Sequence, residues 1–115
     1  RMLRGAHHLL ETLDQVPVLI FVCGGVIYPA ASPMAEFVPA ALYPAAQNLI
    51  VAARALGLGT TFTTFHMYCE EPIREILALP KEHRIQVLIP LGWPEKKFGP
   101  LKRRPLQEVV HWDRY

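Results

Sequence analysis

Three cations stand side by side at Lys102, Arg103 and Arg104. A guanidinium forks the oxygens of a phosphate and an ammonium adds a point charge. The run therefore suits a phosphate group, with a plain solvated basic turn as the competing reading. Five histidines, His7, His8, His66, His83 and His111, share no metal-ligand spacing with Cys, Glu or one another. No metal site is expected. His66 stands out because it follows a Thr-rich segment, although a loop histidine without a special role is the favoured reading. Cys23 and Cys69 form no C-x-x-C pair, which predicts free thiols in a reducing cytoplasm. There is no G-x-S-x-G elbow and no phosphate-binding P-loop. Gly57-Leu58-Gly59 opens like a dinucleotide fingerprint, but position 62 is Phe and a helix, not a strand, precedes it. No acid–base pair or activated nucleophile stands out, so any enzyme chemistry here belongs to a cofactor.

These residues need elements to hold them. Leu3, His7, Leu10 and Leu13 recur at helical steps and predict a helix over 2–13. The β-branched run Val16 to Cys23 predicts a strand buried on both faces, stopped by Gly24-Gly25. Residues 24–40 carry Pro29, Pro33 and Pro39 and predict a loop with at most one helical turn. Tyr28, Met34 and Phe37 on that loop are apolar side chains that either cover a ligand or partner or pack on the core.

Residues 41–56 give the strongest helix signal, with Leu42, Ala45, Ala46, Leu49, Ile50, Ala53 and Leu56 on one stripe. Gly57 is the expected helix C′ residue. Gly59 to Phe65 predicts a short strand or extended segment. Glu70-Glu71-Pro72 opens a further helix, its apolar face formed by Ile73, Ile76, Leu77 and Leu79, with Pro80 ending it. Arg84 to Leu91 predicts a second buried strand, where Pro90 marks an edge or a strand end. A turn-rich connection leads to the basic turn and an apolar tail with Val109, Val110 and Trp112.

The composition fits one α+β domain. Of 115 residues, 51% are hydrophobic and 19% charged, which excludes a disordered or fibrous chain. A net charge of +2 argues against a nucleic-acid partner. The longest apolar run is too short to cross a membrane. Two buried strands do not make a stable sheet, so more strands are expected from further sequence or a second chain. The start at Arg1 fits either a processed terminus or a piece of a longer chain.

Two blocks resemble the flavin-dependent nitroreductase family. The first runs from Tyr43-Pro44-Ala45-Ala46-Gln47-Asn48-Leu49 through Ala52-Ala53-Arg54-Ala55-Leu56-Gly57-Leu58-Gly59-Thr60. The second is Ile89-Pro90-Leu91-Gly92-Trp93-Pro94, followed by the basic turn and Pro105-Leu106, then Glu108-Val109-Val110-His111-Trp112. The resemblance implies an α+β nitroreductase-like sheet flanked by helices, in an intertwined homodimer whose C-terminal tail wraps the partner. It implies FMN as cofactor and NAD(P)H as electron donor. Hydride would pass through the flavin to a nitroaromatic or quinone-like small-molecule acceptor. Carried over by position, Lys102, Arg103 and Arg104 would hold the FMN phosphate, and Thr63, Thr64 and Phe65 would run along the flavin ring. Tyr28, Met34 and Phe37 would flank the substrate pocket. The family's Arg-rich N-terminal motif has no match before Pro17. Residues 1–115 are therefore expected to be the C-terminal portion of one such domain. The alternatives are a non-catalytic dimerisation or flavin-binding piece, and a flavin-cleaving or dehalogenating branch.

Overall fold

Register and packing decide where the core forms. The computed structural model describes the backbone of residues 2–115 and the side chains of residues 4–115. The six main elements are α1 (Met2–Glu11), β1 (Val18–Gly25), α2 (Val38–Ala55), β2 (Gly59–Thr60), α3 (Glu70–Ile76) and β3 (His83–Gly92). Short 3-10 turns at Leu13–Gln15, Ala35–Phe37, Phe65–Tyr68 and Leu106–Glu108 fill the connections. The sheet is antiparallel throughout, with strand order β1-β3-β2.

Hydrophobic alternation fixes the pairing of β1 with β3. Ile20 faces Ile89 and Val22 faces Val87 across the two strands. A bulge then shifts the register between Val22 and Cys23, so that Cys23 faces Ile85. α2 lies across this face. Ala46 is fully buried against Val87 and Ile89, with Ile20, Val22, Leu49 and Ile50 around them. Small Ala46 and Ala53 let the helix approach closely. Burying Val87 and Ile89 contributes about 1.5–3 kcal/mol each.

Both helix ends at the sheet are closed by the same hydrogen-bond pattern. After α2, Leu58 N–H donates to Ala53 C=O at 2.9 Å and Gly57 N–H to Arg54 C=O at 3.1 Å. Gly57 takes φ +81°, which a glycine adopts without strain. After α3, Leu79 N–H donates to Arg74 C=O at 3.0 Å and Ala78 N–H to Glu75 C=O at 3.1 Å. Here the left-handed position is an alanine, Ala78, at φ 48°. Arg74 adds a clamp: its guanidinium donates to the carbonyls of His83 at 2.8 Å and Pro80 at 2.9 Å. Glu70 lies 3.6 Å from it.

Several expectations change. β1 is not buried on both faces: Val18 is 45% and Leu19 37% exposed. Within residues 1–115 it is an edge strand, and α2 covers one face only. The other face, with Leu19, Phe21 and Leu88, opens on an apolar hollow of about 420 Å³ bounded by Leu10, Leu13 and Ile73. α2 starts three residues earlier than its stripe, because Pro39 is tolerated in a first helical turn. Pro44 sits inside it. Ala45 and Leu56 of the expected stripe are exposed, as are Ile76 and Leu77 of the α3 face. The Leu3 side chain lies outside the described residues. Pro90 falls near the end of β3, but β3 is the central strand.

Candidate functional site

Thr63 ties the segment after β2 to the sheet. Thr63 and Leu88 exchange both backbone hydrogen bonds at 3.0 Å, and Thr63 Oγ1 donates to Leu88 C=O at 2.9 Å. The Thr63 hydroxyl hydrogen is thus engaged on β3, and the side chain is buried. Thr64 is exposed and Phe65 half-buried. Thr63, Thr64 and Phe65 together line a groove of about 660 Å³, closed on its far side by Gly5, Ala6 and Leu9 of α1. One turn on, His66 is only 2% exposed and its Nε2 lies 3.1 Å from Ile85 C=O. A carbonyl only accepts, so Nε2 carries a hydrogen, while Nδ1 is buried without a partner. The bond to Ile85 makes His66 a core histidine that pins the turn to β3.

The loop after β1 forms a second hollow. Tyr28, Met34 and Phe37 converge there in a cavity of about 500 Å³ with Ile27, Val38 and Leu42. The Tyr28 and Phe37 rings meet edge-on, 5.5 Å between centroids. No lining residue of this cavity is charged.

The basic turn belongs to neither hollow. Lys102, Arg103 and Arg104 are exposed, on a tail whose backbone hydrogen bonds all close within residues 105–114. Arg103 reaches only the carbonyl of its neighbour Lys102, at 3.3 Å. Among the described residues none of the three has a carboxylate partner. Within one chain, then, the three groups of expected site residues occupy three separate places. One contact had no sequence signal: the Arg54 guanidinium stands 3.2 Å from the centroid of the Phe98 ring. Such a pair joins residues far apart in sequence, and periodicity cannot reveal it.

The two cysteines differ. Cys69 is exposed and Cys23 half-buried, and both are free thiols. Burial pushes the Cys23 thiol above its ordinary range, with Arg74 pulling it down and Glu70 pushing it up. Among the described residues no three His, Cys, Asp or Glu side chains gather as a metal site. No described helix is long and apolar enough to cross a membrane.

Comparison with known proteins settles the lineage. The profile of the Nitroreductase family matches residues 4–93.

The chain belongs to the nitroreductase family.

The crystal structure of an NADH dehydrogenase/NAD(P)H nitroreductase candidate from Bacteroides thetaiotaomicron superposes with a TM-score of 0.72 at 30% identity, covering 91% of this chain and 60% of its own. Its counterpart from Parabacteroides distasonis gives the same TM-score and coverage at 28% identity. Iodotyrosine deiodinase 1 of Homo sapiens is 30% identical over 105 residues, 87% of this chain. The Pongo abelii protein is 28% identical. This chain spans 36% of the length of those two curated relatives. The α+β nitroreductase-like fold read from the two sequence blocks is borne out. Nitroreductase family members are oxidoreductases, generally FMN-dependent and typically homodimeric. The residues present fit that cofactor in their chemistry. The basic turn offers three cations without a carboxylate partner, and a phosphate dianion calls for such donors. The turn lies beyond the profile match, which ends at residue 93.

Proposed function

We propose that the protein containing this chain is an FMN-dependent oxidoreductase. It takes hydride from NAD(P)H and reduces a nitroaromatic or quinone-like acceptor. Residues 1–115 supply the C-terminal portion of its domain, and it works as a homodimer. The observation that carries this reading is the unpaired basic turn in a chain of nitroreductase lineage. Lys102, Arg103 and Arg104 bind the phosphate. Thr63, Thr64 and Phe65 run beside the flavin ring, with Thr63 holding the segment on β3. FMN, when bound, supplies the hydride transfer. This accounts for a chain with no acid–base pair of its own. Tyr28 and Phe37 hold an aromatic acceptor, and Met34 adapts to its shape. A reducing cytoplasm suits the two free thiols.

The iodotyrosine deiodinase relatives raise a dehalogenating alternative. An amino-acid substrate is a zwitterion, and both of its charges need partners when buried. Within residues 1–115 the Tyr28 cavity carries no charged side chain, which supports reading it as a site for an uncharged acceptor. The test is spectroscopic and kinetic. The whole protein, desalted, is expected to keep flavin absorbance bands and to oxidise NADH or NADPH with p-benzoquinone or nitrobenzene. Reduction of iodotyrosine in preference to both would favour the dehalogenating branch. Retained flavin without turnover would favour a flavin-binding module.

A further inference from the structure

We infer that Arg54 and Phe98 are positioning residues for the basic turn. The segment 93–105 has no regular structure. Pro94 and Phe98 each touch the body. At its start Pro94 packs on Gly59, where an added Cβ would come within 3.4 Å of the proline ring. Four residues on, Phe98 lies under the Arg54 guanidinium at 3.2 Å from the ring centroid. Arg54 itself is fixed in the last turn of α2, beside the hydrogen-bonded helix end at Gly57.

From Phe98 the chain runs Gly99-Pro100-Leu101 to Lys102. Four residues reach at most about 14 Å. Pro100 fixes its own φ, and Pro105 holds Arg104 in extended backbone. A tether at Phe98 thus keeps Lys102 within that reach of the Phe98 ring and Arg104, six residues on, within about 22 Å of it. Without it, ordering the turn would fall on the binding step and weaken affinity. The inference rests on the reading that this turn takes the flavin phosphate.

The test compares FMN with riboflavin, which has the same ring but no phosphate. The whole protein, stripped of flavin, is titrated with each by fluorescence quenching. Arg54→Met and Phe98→Leu are expected to raise the FMN Kd about two- to fivefold, leaving riboflavin unchanged. Arg54→Lys and Phe98→Tyr, which keep a cation and a ring, should restore most of the FMN affinity. The double variant Lys102→Ala/Arg104→Ala is the control, and should narrow the gap between the two flavins. If the control leaves that gap intact, the phosphate assignment falls and the positioning role with it. If the control narrows the gap but the Arg54 and Phe98 variants bind FMN like wild type, or lose both flavins equally, the positioning role alone is overturned.

Discussion

Cys23 and Cys69 show how one residue type acquires two chemistries from its surroundings. Cys69 is exposed at the start of α3, while Cys23 sits half-buried on β1. Burial disfavours the thiolate, so Cys23 holds its proton to higher pH than an ordinary thiol. Iodoacetamide at pH 8 is expected to alkylate Cys69 well before Cys23, read by peptide mass spectrometry. Equal rates would remove the burial argument. The sign for stability follows. The raised pKa leaves the folded state favoured below the ordinary thiol range, and that advantage is lost as pH rises through the folded value. Histidine 66 makes a related point. Its place after a Thr-rich segment drew notice in the sequence, yet its role is a bond to Ile85 C=O, a partner no local pattern names.

The two helix ends and the Arg74 clamp set the geometry at the level of elements. α2 and α3 close with the same motif, but one uses Gly57 and the other Ala78. An L-residue with a Cβ is strained in the left-handed region by about 1–2 kcal/mol. Ala78→Gly is therefore expected to stabilise the protein by up to about 1 kcal/mol, after the glycine's greater unfolded-state freedom is subtracted. Gly57→Ala should destabilise it by a similar amount. Urea unfolding midpoints measure both, and opposite signs are the required result. Arg74 joins α3 to the turn that launches β3 through the carbonyls of Pro80 and His83. Arg74→Met keeps the stem and leaves those acceptors without a charged donor, at a cost of about 2 kcal/mol. A midpoint unchanged by that substitution would show that water replaces the guanidinium fully.

Residues 1–115 by themselves are far more open than a compact monomer of their mass. Their accessible surface is 9535 Å², against about 6,300 Å² for a compact monomer of this mass. Their radius of gyration is 17.2 Å, against about 13 Å. We read that excess as surface that the rest of the domain and a second copy cover together. Much of it is apolar: Leu106, Val109, Val110 and Trp112 of the tail are all exposed. The complete protein is expected to run in light scattering at twice its chain mass. Removing residues 106–115 should shift it toward monomer. A full-length monomer at micromolar concentration would contradict the homodimer proposal.

The sequence by itself determined the elements whose signals are local. The 3.6-residue stripe gave α2, Gly57 its stop, and the β-branched runs β1 and β3. The run of cations at Lys102 to Arg104 was legible for the same reason, since adjacent charges need no fold to be noticed. So was the lineage, carried by two blocks of side chains in fixed order. Tertiary structure alone decided which faces are covered. Val18 and Leu19 look like core residues in a one-dimensional pattern, but within residues 1–115 an edge strand with one covering helix leaves them part-exposed. It alone decided that Thr63 spends its hydroxyl on β3, and that Tyr28, Met34 and Phe37 share one uncharged hollow. The Arg54–Phe98 contact is of the same kind. Burial and cross-chain contact are properties of the neighbours a residue acquires on folding, and no spacing along the chain records them.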